Sequence, residues 1–107
     1  MSSSKKQKGD REERAVVEFH RELGIDCERT LTGGARNTGA TYDIDLDIGD
    51  GLKGECKMRK DGFKQLYTWI DGRDFLTVRA DRKERLYVIP EGLWKVFLKN
   101  MLQLHKK

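Results

Sequence analysis

Between Tyr42 and Met58 the sequence alternates so as to gather ionisable groups: Asp43, Asp45 and Asp47 in one run (YDIDLDI), then Lys53, Glu55 and Lys57 in the next (LKGECKM). Residues two apart share one face of a strand, so the carboxylates of each run point the same way. Such crowding is unhelpful for stability. It suits a divalent cation, which takes carboxylate oxygens and usually keeps several waters.

The elements that position these groups begin with a hairpin, for which Gly49, Asp50 and Gly51 between the two runs are the strongest signal in the chain. A two-residue Asp50–Gly51 turn would pair Glu55 with Leu46 and Lys57 with Ile44, mixing charge into the apolar face. A three-residue loop with Gly51 in the left-handed conformation instead sets Glu55 opposite Asp45 and Lys57 opposite Asp43. The faces then separate. Ile44, Leu46, Ile48, Leu52, Gly54, Cys56 and Met58 make one side; Asp43, Asp45, Asp47, Lys53, Glu55 and Lys57 make the other. The plainer alternative is a solvated charged face in which Lys53 and Lys57 neutralise aspartates across strands, each pair contributing a few tenths of a kcal/mol. Against it stand the polar, glycine-rich loop Thr32–Thr41 before the hairpin, expected to move, and Glu12, Glu13 and Glu18 on a preceding helix, one of which could complete a metal site.

That helix is expected over Asp10–Leu23, with Ala15, Val16, Phe19 and Leu23 at helical spacing and Gly24 as its stop. Residues 1–8 (MSSSKKQK) offer nothing apolar to bury and read as a disordered basic tail, with 9–107 as a single domain. Ile25–Leu31 reads as a strand, Phe63–Ile70 as a helix with Leu66, Trp69 and Ile70 inward, and Phe75–Arg79 and Arg85–Ile89 as strands around a charged turn. Pro90 opens a last helix to about Leu104, striped by Leu93, Trp94, Phe97, Leu98 and Met101. The order is helix, three strands, helix, two strands, helix, which predicts an α/β (α+β) protein with a mixed central sheet flanked by helices.

Length and composition bound the rest. A chain of 107 residues with 36% hydrophobic and 37% charged residues fits one domain with a thin core, and thin cores often dimerise. The formal charge of +4 and pI near 9.1 fit a phosphate-bearing partner without identifying one. No apolar run approaches the roughly 20 residues that span a bilayer, and no signal-peptide stretch opens the chain, so a cytoplasmic location and no membrane partner are expected. Cys27 and Cys56 match no metal spacing and read as reduced thiols. His20 and His105 lack motif context and read as surface residues, and Trp69 and Trp94 as core or interface.

In this order the residues resemble a known family, the archaeal-type Holliday-junction resolvases within the PD-(D/E)XK nucleases, over roughly Lys8 to Ile89. Lys8-Gly9 followed by Glu13-Arg14 resembles the family's opening helix, Tyr42-Asp43-Ile44 stands where the family has Pro-Asp-hydrophobic, Glu55-Cys56-Lys57 is similar to its acidic-X-Lys element, and Gln65 stands on the following helix. Tyr42 departs from the usual proline, which leaves the choice between Asp43 and Asp45 to spacing.

The resemblance implies a restriction-endonuclease-like αβββαβ core plus a C-terminal helix, and a Mg²⁺-dependent endonuclease, with Mn²⁺ substituting, that cuts branched DNA as a homodimer in recombination; a phage origin, acting in the host cytoplasm, would suit a chain this small. It further implies Asp43, Glu55, the Cys56 backbone carbonyl and Glu13 as metal ligands, Lys57 orienting water and stabilising transition-state charge, and Gln65 positioning water or phosphate. Lys8, Arg29, Arg36, Lys53, Arg59, Lys60 and Lys64 are the candidate phosphate contacts. Two alternatives stay open: the same nuclease fold with another DNA substrate (nicking, restriction-like or DNA-processing), and a basic DNA-binding module without catalysis.

Overall fold

The structure, a computed structural model, describes residues 2–31 and 42–104, with side chains described from Gly9 onward. The expected mobile loop Thr32–Thr41 lies outside them. In chain order the elements are α1 (Ser2–Glu22), β1 (Cys27–Leu31), β2 (Tyr42–Leu46), β3 (Leu52–Gly54), α2 (Lys64–Ile70), β4 (Leu76–Val78), β5 (Leu86–Val88) and α3 (Glu91–Leu104). This is the expected order, in a small α+β architecture. The strands do not join in one mixed sheet, however: β1-β2-β3 and β4-β5 are two antiparallel sheets. Each hairpin closes through a short connection, which permits only antiparallel pairing, whereas a parallel neighbour needs a crossover of a dozen or more residues. Where length predicts a single core over 9–107, the residues cluster as two compact units, 1–58 and 59–107.

In the first unit, α1 starts at Ser2 rather than Asp10, so the residues read as a tail belong to the helix. Lysine and glutamine are good helix formers, and the single Gly9 costs only about 1 kcal/mol against alanine. The helix stops where Gly24 takes φ +88°: Gly24 N–H donates to the Arg21 carbonyl at 2.9 Å and Ile25 N–H to the His20 carbonyl at 3.1 Å. That pair of bonds is a Schellman motif, and it satisfies two carbonyls the helix leaves open.

The core of this unit is Val17, Ile25, Cys27, Ile44, Leu46 and Ile48, where α1 packs on β1 and β2. On α1 the buried positions are Val17 and His20, not the expected stripe; Ala15 is exposed and Val16, Phe19 and Leu23 are half-buried. His20, expected on the surface, is 5% exposed, its Nδ1–H donating to the Val16 carbonyl at 2.8 Å and its ring meeting Phe19 edge-on at 5.0 Å. A histidine whose polar edge is satisfied within its own helix can take an apolar position.

Hairpin β2–β3 keeps the expected parity but not the expected register. Ile44 pairs with Gly54, Asp45 with Lys53 and Leu46 with Leu52, two residues from the three-residue-loop register. The connection is Asp47 to Gly51, with Gly49 at φ +60°, Gly51 at φ +92° and Gly51 N–H donating to the Ile48 carbonyl at 2.9 Å. Asp47 is drawn out of the hairpin because its N–H donates to the Asp26 carbonyl at 2.9 Å, extending the β1 ladder instead. Ile44, Leu46 and Ile48 are buried as expected, but Leu52 and Met58 are exposed and Cys56 is half-buried, since β3 ends at Gly54.

In the second unit, α2 turns Leu66 and Ile70 inward while Trp69 is exposed. Pro90 caps α3, its carbonyl accepting from the Leu93 and Trp94 N–H groups at 3.1 Å. Within the expected stripe of α3, Leu98 is fully enclosed, Leu93, Trp94 and Met101 are half-buried and Phe97 is exposed.

Leu98→Ala should therefore lower unfolding free energy by about 2–5 kcal/mol, through lost transfer energy and a residual cavity. Gly24→Ala should cost about 1 kcal/mol from the left-handed backbone alone, since a Cβ there meets nothing within 4 Å. Urea unfolding midpoints measure both.

Candidate functional site

Strand β2 lies between β1 and β3, with Cys27 opposite Leu46, Glu28 opposite Asp45, Arg29 opposite Ile44, Thr30 opposite Asp43 and Leu31 opposite Tyr42. Directly opposed residues share a face. One face therefore carries Glu28, Thr30, Asp43, Asp45 and Lys53; the other carries Cys27, Arg29, Tyr42, Ile44 and Leu46 and is the one α1 covers.

On the open face the Thr30 hydroxyl donates to Asp45 Oδ2, and Lys53 Nζ stands 3.9 Å from Asp45 Oδ1. Oδ1 is buried and has no hydrogen-bond partner, so this carboxylate is only half satisfied. Asp43 is half-buried one register step away. The ladder ends at Ile44–Gly54, so Asp45 faces Lys53 and not Glu55 as the three-residue loop would have it, and Glu55 lies just past the end of β3. Lys57 pairs not with Asp43 but with Glu55, Nζ to Oε2 at 2.7 Å, both side chains 52% exposed. So exposed a pair contributes little stability.

At the hairpin-turn end of the sheet a cleft of about 620 Å³ is lined by Asp26, Glu28, Asp45, Asp47 and Lys53 together with Arg21 of α1 and the apolar Leu46 and Leu52. Asp26 and Glu28 extend the acidic face beyond the residues singled out from sequence. Pairing the run Cys27–Leu31 against Tyr42–Leu46 would have found Glu28.

Glu13 is elsewhere. It lies on the helix-covered face, where Arg29 Nη2 stands 2.6 Å from Glu13 Oε1 and 3.1 Å from Asp10 Oδ1, with its guanidinium carbon 4.1 Å from the Tyr42 ring centroid. Asp10, Glu13, Val17 and His20 fall at helical spacing, so one stripe of α1 presents carboxylates to Arg29 and then apolar groups to the core. Glu13 and Asp43 are thus on opposite sides of the sheet. Arg29, expected as a phosphate contact, is committed to two carboxylates and an aromatic face.

The other expected residues are spread out. The Lys8 side chain, Arg36 and His105 lie outside the described residues. Lys53 is exposed beside Asp45, and Arg59, Lys60, Lys64 and Gln65 are exposed in the second unit. Among the described residues no group of three or more His, Cys, Asp or Glu side chains gathers as a metal site.

Both thiols are free. Burial pushes the Cys27 thiol above its ordinary pKa, with Arg21 opposing and Asp45 and Glu28 adding; burial, then Glu13 and Glu12, push Cys56 up as well.

Against known proteins, no family model matches the chain, and neither a curated protein nor a solved structure emerges as similar to it. The class that fold and site define is a small α+β protein, with three helices and two antiparallel sheets among the described residues and an acidic open face on the first sheet. No described helix is long and apolar enough to cross a membrane.

Two outcomes follow. Arg29→Met should destabilise the fold by on the order of 2–3 kcal/mol by leaving Glu13 and Asp10 unpaired against the sheet, and Glu13→Gln in that background should recover part of the loss. Because the folded thiols hold their protons more tightly than unfolded ones, their contribution is fully present below the unfolded pKa and is lost as pH rises through the folded value. Stability should therefore fall as pH climbs above 9.0, and less so in Cys27→Ala; thermal melts across that range measure it.

Proposed function

We propose that the chain is a Mg²⁺-dependent endonuclease hydrolysing DNA phosphodiester bonds, working on branched substrates as a homodimer. The observation that supports this reading is the open face of the first sheet, which carries Asp43 and Asp45, with the Glu55–Lys57 pair in the segment directly after β3. Mg²⁺ is commonly bound by one or two carboxylates plus waters and substrate phosphate, so this donor set fits it, with the half-satisfied Asp45 carboxylate adjacent. Glu13, neutralised by Arg29 on the covered face, is left out of the ligand set.

When bound, the ion supplies Lewis acidity to the scissile phosphate and acidity to a water at neutral pH. The chain's own residues do the rest. Asp43 and Glu55 are the residues that would hold it. Lys57, paired with Glu55, would place a cation beside the phosphoryl oxygens, where negative charge grows in the transition state. Two copies would present two such faces to two strands of a junction.

Four-way junction, linear duplex and single strand of matched sequence, incubated with Mg²⁺ and with a chelator, test the reading. The junction should be cut only with the metal, and Asp43→Asn, Glu55→Gln and Lys57→Met should each slow cutting by roughly 100-fold or more. Equal cutting of all three substrates removes the junction preference. Binding without cutting, unchanged or tighter in Asp43→Asn, leaves only a DNA-binding module with a structural acidic face, a role that the Asp45–Lys53 and Glu55–Lys57 pairs would then explain.

A further inference from the structure

The charge of the chain is not shared evenly. Residues 1–58 carry ten Lys and Arg against twelve Asp and Glu, a net −2, while residues 59–107 carry twelve against six, a net +6. All of the excess positive charge belongs to the second unit. Its hairpin β4–β5 pairs Leu76 with Val88, Thr77 with Tyr87 and Val78 with Leu86. The even-numbered face holds Leu76, Val78 and Val88, all half-buried, together with the exposed Leu86. The odd-numbered face is of another kind. Phe75 and Tyr87 stand on it 54% and 64% exposed, with ring centroids 6.0 Å apart and planes tilted by 36°.

Arg79 directly follows β4 and Arg85 directly precedes β5, flanking the turn that joins them, and both are exposed. Arg79 is anchored at the turn, its Nε donating to the Lys83 carbonyl at 2.9 Å. Over the ~13 Å from Phe75 to Arg79 the hairpin thus carries two exposed rings at one end and two exposed arginines at its turn end.

We propose that this outer face of the β4–β5 hairpin is a docking platform for an unpaired DNA strand, whose bases stack on Phe75 and Tyr87 while its phosphates meet Arg79 and Arg85. Rings beside cations are how proteins hold single strands without reading sequence, because every base offers a π-face and every nucleotide a phosphate. A duplex cannot offer its base faces, so it meets the arginines alone. Charge favours a polyanion here over the same face of a second copy, which would set net +6 against net +6. The platform stands on the second unit and does not depend on catalysis; only the choice of DNA over RNA rests on the nuclease reading.

The test is fluorescence anisotropy with the full chain in chelator, so that cleavage plays no part, using a short labelled oligothymidylate, its duplex and the matching RNA. The single DNA strand should bind about tenfold tighter than the duplex. Phe75→Ala and Tyr87→Ala should each weaken single-strand binding by about tenfold while leaving duplex binding nearly unchanged. Arg79→Gln and Arg85→Gln should weaken both, each lowering the single-strand slope of log affinity against log salt by about 0.7. Phe75→Leu and Tyr87→Leu, which keep apolar bulk without a ring, repeat the measurement if an alanine variant loses its circular-dichroism melt. Equal affinity for single strand and duplex overturns the proposal, as do ring variants that bind normally, tighter binding of RNA, or ring variants that alter only self-association in sedimentation.

Discussion

Alternation along β2 constrains the whole first unit. Ile44, Leu46 and Ile48 are buried between the sheet and α1, each worth roughly 1.5–3 kcal/mol as a buried aliphatic group. With those positions fixed inward, Asp43, Asp45 and Asp47 have only the other side to occupy. A slip of one residue would bury three carboxylates and expose the core, so only slips that keep the parity compete. The acidic face is thus a by-product of the apolar one, and its repulsion is eased locally, by the Thr30 hydroxyl and by Lys53 at Asp45.

The second constraint is Arg29, the charged member of the covered face. Its guanidinium is flat, which lets one side chain meet Glu13 and Asp10 while lying over the Tyr42 ring. Lysine, a compact point charge, could not do both. The interaction also sets how α1 sits: the polar half of its inward stripe meets Arg29, and the apolar half, Val17 and His20, meets the core. The carboxylates gathered here are felt by the Cys56 thiol, pushed up first by burial and then by Glu13 and Glu12. This half of the sheet uses its acids to hold helix and strand together, which is why Glu13 is unavailable to the open face.

What the sequence discloses follows from range. Local signals are legible: Gly24 as a helix stop, Pro90 as a helix start, the order of elements and the parity of the hairpin. All depend on neighbours within a few residues. The register was not legible, because loop length depends on two glycines adopting positive φ and on Asp47 bonding to Asp26 rather than to β3. Nor was the inward stripe of α1, since a histidine satisfied by Val16 four residues earlier does not look apolar. Arg29 reads as a surface cation until β1 is paired with β2 and α1 is laid across them; a long-range ion pair leaves no periodic trace. The shared face of Asp43, Asp45 and Lys53 is legible from alternation, the grouping of Asp43, Glu55 and Lys57 is what the resemblance implies, and Asp26 and Glu28 require a strand pairing no local pattern specifies.

The uneven charge gives the two units different tasks on the reading advanced above. A polyanionic substrate gains counterion-release energy only where it meets Lys and Arg, and the first unit, at net −2 with its carboxylates on an open face, offers it repulsion instead. A divalent ion between Asp43 and Glu55 would reverse that sign locally, making approach of a phosphate to this face conditional on metal. The second unit, at net +6, needs no such condition. Retention of the substrate and access to the reacting face are then governed by different groups. On that reading the carboxylates that would hold the ion and the excess positive charge that would draw a polyanion belong to different halves of the sequence.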